Sequence, residues 1–330
     1  MTGVSVIATV RNERESIAEL LQSLQRQTRR PMEIVVVDGG SSDGTAEYLE
    51  LAAREDPALR VYRAPGASIS QGRNVAVQRA AGQIIAVTDA GTIVASDWLE
   101  RLVRPLEVDT QVAVSAGFFL PGGNSFFERC LSAVITPQLP EIDERTFLPS
   151  SRSIAFRKEW WERVGGYPEW LRHCEDLVFD LELKRAGARI AFVPEAVVHW
   201  RARPTLRHYS RQYFDYARGD GHALLWPARH AARYGAYLLG AGLLVTGWWV
   251  PGCWIVLGAG MVAHLWKFFR RVIRLPPATG FAGTAVAWCL VPVIVVAGDI
   301  AKMLGYPVGR LERHRAGGPS GLLDRLKGVA

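Results

Sequence analysis

The sequence lacks the patterns that would tie it to the commonest nucleotide and metal chemistries. Neither GxGxxG nor GxxxxGKS occurs, which disfavours a dinucleotide enzyme or a P-loop ATPase. Cysteines are few and scattered: Cys130, Cys174, Cys253 and Cys289 show no CxxC spacing. They fit neither a zinc site nor a disulfide scaffold and suit a reducing compartment. A signal-peptide pattern is missing too. The apolar run from Val4 to Val10 is interrupted by Arg11, Asn12 and Glu13 and has no small-residue cleavage site, so the soluble part is expected to stay in the cytoplasm. Charge itself is absent from two long stretches. No Lys, Arg, Asp or Glu lies between Tyr234 and Trp266, or between Leu275 and Gly298. Apolar runs of about 18 residues or more suit membrane spans, whereas the core helices of soluble domains normally keep a polar stripe.

The first two hundred residues read differently. In VVVDGGSSD, residues 35–43, a β-favouring run ends in Asp38 and breaks into a polar, flexible segment. This places Asp38 at the carboxyl end of a sheet, where open α/β folds put ligands. IIAVTDAG, residues 84–91, repeats the pattern with Asp89. Strands are expected over 4–9, 33–37, 59–63, 84–88, 112–119 and 150–156, with a last one over 187–192 and a short addition over 197–200. Helices are expected over 17–27, 45–54, 70–81, 96–105, 125–135, 158–164 and from about 173 to 186. Near-continuous apolar strands alternating with helices predict an α/β fold with a mostly parallel sheet covered on both faces.

Residues 201–233 carry seven arginines against two aspartates, interleaved with Tyr209, Tyr213, Phe214, Tyr216 and Trp226. A basic aromatic segment beside an apolar run is expected to lie as helices on anionic membrane lipids, and that proximity decides against a nucleic-acid patch. Pro251-Gly252 near the middle of the run 234–266 predicts a helical hairpin. The basic loop after it, Lys267 to Arg274, is placed on the cytoplasmic side by the positive-inside tendency. A third span over 275–298 would put a basic tail outside; the sequence does not resolve that conflict. The divisions are 1–200, 201–233 and 234–330.

Three carboxylate positions could carry chemistry. Asp38 could accept hydrogen bonds from a base or ribose, and Asp89 could hold a divalent cation against phosphate oxygens. Strand-end aspartates also serve simply as caps and turn formers. Glu175-Asp176 opens a helix, where one of the pair could be a general base or both could complement the helix macrodipole.

On SVIATVRNE (5–13), EIVVVDGGSSDGT (33–45), GRNVAVQRAAGQIIAVTDAG (72–91) and HCEDLVFDLELKRAG (173–187), the chain resembles the inverting glycosyltransferases of family 2, with a GT-A, Rossmann-like fold. The resemblance covers about residues 3–220, and it is the combination of motifs that is specific. The apolar runs and GDIAKMLGY (298–306) resemble integral-membrane members that build surface polysaccharides or glycolipids. The resemblance implies that Thr9, Asn12, Glu13 and Asp38 line the uracil and ribose pocket. It places Asp43 near the base, Arg73 near the diphosphate and Asp89 at a Mn2+ or Mg2+ ion. Asp176 would be the catalytic base, supported by Glu175, in a single displacement. Two departures stand out. Asp89-Ala90-Gly91 lacks a second carboxylate, so the ion would be completed by phosphates, water and His199. The acceptor-side QxxRW motif is absent, and Arg211, Gln212 and Arg218 of RQYFDYARGDG (211–221) would contact the diphosphate instead.

The function expected is transfer of one sugar, from a UDP-sugar to a lipid-linked or saccharide acceptor near the membrane, by a multi-pass protein of the cell membrane. The alternatives are a nucleotidyltransferase, which should carry an early glycine-rich loop with a lysine, and a catalytically silent membrane scaffold. Asp299 and Lys302 are close enough in sequence to pair at the membrane boundary.

Overall fold

Strands that are apolar at every position need cover on both faces, and the first half of the chain forms such strands. The computed structural model describes residues 3–123, 125–273 and 280–316. β1 (Val4–Val10), β2 (Glu33–Asp38), β3 (Leu59–Arg63) and β4 (Ile84–Val87) pair in parallel in the order β3-β2-β1-β4. β5 (Thr92–Val94), β6 (Val112–Gly122), β7 (Ile154–Arg157) and β8 (Arg189–Arg201) extend the sheet as β4-β7-β6-β8-β5. Here β4–β7, β6–β7 and β5–β8 are antiparallel. The parallel character predicted for the sheet thus belongs to its amino-terminal half, and the whole is a mixed sheet. β5 was not anticipated, because three residues are too few to show a period. The two short strands expected near the end are one continuous strand, β8, running through Pro194.

Alternation within the strands sends side chains to two cores. Val6, Ala8, Ile34 and Val36 join one cluster and Ile7, Val35 and Val37 the other, as the two-residue period requires. The first cluster is closed by α1 (Ile17–Gln25), α2 (Thr45–Glu55) and α4 (Trp98–Val108), through Leu20, Leu24, Leu49, Trp98 and Leu102. α3 (Ile69–Arg79), α6 (Lys158–Val164) and α7 (Glu175–Arg185) close the second, through Ala76, Val77, Phe179 and Leu183. α3 begins one residue earlier than expected, because Ser68 and Gln71 form a reciprocal capping box. Gly82 is not its cap; Ala80 ends the helix in an extended conformation. α4 runs through Pro105 to Val108 rather than stopping there, which buries Leu106.

The segment before β7 is anchored from several sides. Trp98 Nε1 donates to Ser153 Oγ at 2.8 Å, and Ser153 Oγ donates to the Ala196 carbonyl at 3.1 Å. A Cβ on Gly117 would overlap both Ser153 Oγ and the Ala196 oxygen. Gly117→Ala is therefore expected to destabilise the chain by about 1–3 kcal/mol, as overpacking does, read as a lower urea midpoint. An unchanged midpoint would show that the strands can part there without loss.

The described residues fall into two units, 3–121 with 142–201, and 122–141 with 202–316. Residues 122–141 thus group with the later helices, although their sequence position lies inside the first predicted domain. The second unit contains α5 (Phe126–Ile135), α8 (Leu206–Ala223), α9 (Pro227–Thr246), α10 (Gly252–Ile273) and α11 (Gly280–Ala316). Its core joins Cys130 and Leu131 of α5, Tyr209 of α8, Leu265 of α10 and Val291 and Ile294 of α11. α9 and α10 make the expected hairpin about Pro251-Gly252. Two stretches, Gly252–Ile273 and Ala285–Ala316, are long and apolar enough to cross a membrane. Lys302 pairs with Asp299 at 3.5 Å, as anticipated, and Arg233 joins Asp299 at 2.9 Å. The end of the basic loop (274) with the start of the last apolar run (275–279), and the end of the basic tail (317–330), lie outside the described residues.

Candidate active site

The loops that follow β1 and β2 are tied to one another by their own polar groups. Asn12, in the left-handed region at φ 57°, accepts from the Ser42 N–H at 2.9 Å, and its own N–H donates to Ser41 Oγ at 2.8 Å. The Glu13 N–H donates to Thr45 Oγ1 at 2.9 Å and the Arg14 N–H to Asp43 at 3.1 Å. Glu13 Oε2 lies 3.5 Å from where a Cβ on Gly91 would stand, and Thr9 Cγ2 lies 2.8 Å from the same point on Gly72 of α3. Thr9 is thus beside α3 and Glu13 beside the loop after β4, while Asn12, Asp38 and Asp43 lie in the joined loops at the carboxyl edge of the parallel strands.

Within this edge Asp38 and Asp43 shape the loop. Asp38 is 2% exposed. Its carboxylate accepts from the Gly40 N–H at 3.1 Å and from both the N–H and the hydroxyl of Ser41. These bonds make it a turn former in the glycine-serine loop. Asp43 accepts from the amide and hydroxyl of Thr45 at the start of α2. The Thr45 hydroxyl, more than the backbone bonds, holds this carboxyl below its ordinary range.

The chemistry centres on Arg73. This guanidinium is 2% exposed and donates from Nη1 to Glu175 Oε1 and from Nη2 to Asp89 Oδ1, each at 2.7 Å. One arginine of α3 therefore clamps the end of β4 to the start of α7, across 102 residues of sequence. The family resemblance places Arg73 near the diphosphate. Buried with both Nη atoms on carboxylates and its Nε without a hydrogen-bond partner, it acts as a clamp in this structure, and Tyr167 covers it at 5.2 Å. Cys174, left-handed at φ 61°, makes the turn into α7 immediately before the acid pair, a conformation that surroundings must hold. Glu175 is buried, while Asp176 is half-buried and accepts from the Leu177 N–H at 2.9 Å.

Burial raises the Glu175 carboxyl to about 7, with Asp176 adding to the rise and Arg73 opposing it. Burial also pushes against ionisation of Asp89, but Arg73 and Arg152 outweigh it and hold Asp89 below the usual range. Asp180, 1% exposed and one turn beyond Asp176, is driven far upward by burial and then by Asp176. The signs differ for linkage. A raised carboxyl binds more protons folded than unfolded, so Glu175 contributes stability below about pH 4.5 that is lost as pH rises toward 7. Asp89 contributes stability that is lost as pH falls below the ordinary carboxylate range. Glu175→Gln is accordingly expected to flatten the fall in melting temperature between pH 5 and about 7.5; an unchanged slope would place that titration elsewhere.

The residues do not fit a metal ion held by the protein. Among the described residues no group of three or more His, Cys, Asp or Glu could hold one. Asp89 Oδ1 is taken by Arg73 and Oδ2 faces Arg152 at 4.0 Å. His199, expected to complete the site together with phosphates and water, sits exposed on β8 opposite Ile93. Arg211, Gln212 and Arg218 belong to the second unit. Arg211 pairs there with Asp215 at 3.1 Å and Gln212 donates to the Tyr216 hydroxyl at 2.8 Å. Arg218 Nε meets Glu312 of α11 at 2.8 and 3.0 Å, so its fork, expected on the diphosphate, is filled by a carboxylate. Arg152 was not anticipated: SSRS read as the start of a strand, and nothing in its spacing pointed toward Asp89.

Comparison with known proteins gives this geometry a context. The sequence profile described as Glycosyl transferase family 2 matches residues 5–164. EpsJ of Bacillus subtilis (strain 168), an uncharacterized glycosyltransferase, is 28% identical over 211 residues, 61% of this chain and 61% of its own length. The succinoglycan biosynthesis protein ExoA of Rhizobium meliloti (strain 1021) is 27% identical over 321 residues, covering 82% of this chain and 96% of that protein. Among solved structures, the mannosyltransferase PcManGT from Pyrobaculum calidifontis, in complex with GDP-Man and Mn2+, superposes with a TM-score of 0.56. That similarity is at 21% identity, over 96% of this chain and 88% of the other, and shows the shared GT-A fold. With that profile over the strands and loops of the amino-terminal half, and glycosyltransferase relatives, the chain carries a family 2 glycosyltransferase domain over residues 5–164.

Proposed function

We propose that this chain transfers a single sugar, with inversion, from a nucleotide-sugar of the UDP class to a hydroxyl on a lipid-linked or membrane-near saccharide. The observation that carries the reading is the Arg73 clamp, which fixes the strand-end Asp89 against the Glu175-Asp176 pair while leaving Asp176 accessible. Asp176 takes the proton of the acceptor hydroxyl as its oxygen attacks the anomeric carbon. Glu175, buried on Arg73, keeps the start of α7 in place. A divalent cation, Mn2+ or Mg2+, arriving with the donor would offset charge on its diphosphate, while Asp89 stays paired with Arg73 and Arg152. The two apolar helices support membrane attachment. Trp248 and Trp249 at the hairpin tip, 76% and 77% exposed, suit an aromatic anchor at a lipid interface. The similarity to ExoA, a succinoglycan biosynthesis protein, supports a place in polysaccharide assembly.

The test is a donor panel of UDP-, GDP- and TDP-sugars incubated with the detergent-solubilised chain and a crude lipid-linked acceptor fraction. Nucleoside diphosphate released and the anomeric configuration of the product are then measured. Release from UDP-sugars with an inverted product is expected. Release from GDP-sugars alone would move the donor class, and binding without turnover across the panel would favour a silent scaffold.

A further inference from the structure

Two guanidiniums flank Asp89, and they differ in access. Arg73 is 2% exposed with both Nη atoms on carboxylates. Arg152 keeps 21% of its side chain in solvent, with Nε 4.0 Å from Asp89 Oδ2. Its guanidinium lies over the rings of Trp200 at 4.9 Å and Phe119 at 5.6 Å, and Nη1 donates to Ser150 Oγ at 3.1 Å. The next residue, Ser153, is fixed by Trp98 and the Ala196 carbonyl. A planar fork stacked in this way is already ordered before it meets a ligand, so little side-chain freedom is lost on binding. Asp89 already faces two guanidiniums, of which Arg73 is shared with Glu175, and the partly exposed Arg152 carries the charge to gather an anion.

We propose that Arg152 binds the donor's diphosphate and takes up the charge that develops on it as it leaves, so that nucleoside diphosphate binds this chain without a metal held by the protein. The proposal rests on the nucleotide-sugar reading above. In the transfer the acceptor oxygen forms its bond to the anomeric carbon as the bond from that carbon to the diphosphate oxygen breaks. The electron pair stays on the diphosphate, the acceptor's proton passes to Asp176, and Arg152 remains protonated throughout, donating its N–H groups to the leaving oxygens.

Calorimetric titration of the full chain in detergent tests this. UDP, GDP, uridine and guanosine are each titrated in EDTA and again with Mn2+, using wild type, Arg152→Met and Arg152→Lys. Arg152→Met keeps apolar bulk between the rings without the charge, and thermal melting checks its fold. In the wild type a diphosphate is expected to bind in EDTA, with Mn2+ changing its Kd by no more than about threefold. Arg152→Met should weaken it about tenfold or more and leave the nucleoside unchanged, with Arg152→Lys between the two. Equal diphosphate binding by wild type and Arg152→Met, or wild-type binding only when Mn2+ is present, would overturn the role of Arg152 and leave the nucleotide-sugar reading standing. Failure of the wild type to bind any nucleoside or diphosphate would remove both. Should Arg152→Met fail to fold, Arg152→Lys decides, since binding equal to the wild type refutes the need for the planar fork.

Discussion

Asp176→Asn is expected to lower the rate of sugar transfer by about 10²–10⁴-fold, the range over which a positioned general base contributes, while leaving donor binding within a factor of about two. The substitution is nearly isosteric. The contact made by Asp176 Oδ1 with the Leu177 N–H can be kept by an amide oxygen, so the start of α7 should not shift. What is lost is the basicity of a half-buried carboxylate. Glu175 does not replace it: it is buried, committed to Arg73, and raised toward neutrality by that burial and by Asp176 itself. Single-turnover transfer and donor titration, run on the same preparation, separate the two effects. A drop of only a few-fold in rate would place the base elsewhere, and a matching loss of donor affinity would make Asp176 a binding group.

Arg73→Met is expected to cost about 3–5 kcal/mol of stability, the usual penalty for removing one partner from a buried ion pair. Asp89 and Glu175 would both be left without the guanidinium that donates to each at 2.7 Å. Glu175 can relieve part of the cost by taking up a proton, and its carboxyl is already raised to about 7. The loss of melting temperature should therefore be smaller at pH 5.5 than at pH 8. Adding Glu175→Gln to Arg73→Met should recover part of the loss, giving a double-mutant cycle with a clear coupling term. Additive effects, or a pH-independent deficit, would mean that Arg73 stabilises by packing against Tyr167 rather than by charge.

Much of the amino-terminal half was legible because its signals are local. β1, β2 and β3, with α2 and α6, fall within about two residues of their expected bounds, since apolar runs and capping residues act on neighbours in the chain. The helical hairpin followed from Pro251-Gly252 in the same way. β5 and the antiparallel return of β7 beside β4 were not legible, because pairing between distant strands leaves no period in either one. The grouping of residues 122–141 with the later helices is equally non-local, as α5 finds its core partners on α8, α10 and α11.

The candidate site divides along the same line. Residue type and position alone put Asp89, Glu175 and Asp176 at the ends of elements where ligands bind, and marked the apolar stretches by their lack of charge. Which carboxylates remain open was a matter of tertiary contact. Asp38 accepts from its own loop's amides, Arg73 donates to two acids, and Arg152 reaches Asp89 from a turn that carries no motif. Chemistry belongs to the side chain and can be read one residue at a time, whereas burial and hydrogen bonding belong to the neighbours that folding brings from elsewhere in the chain.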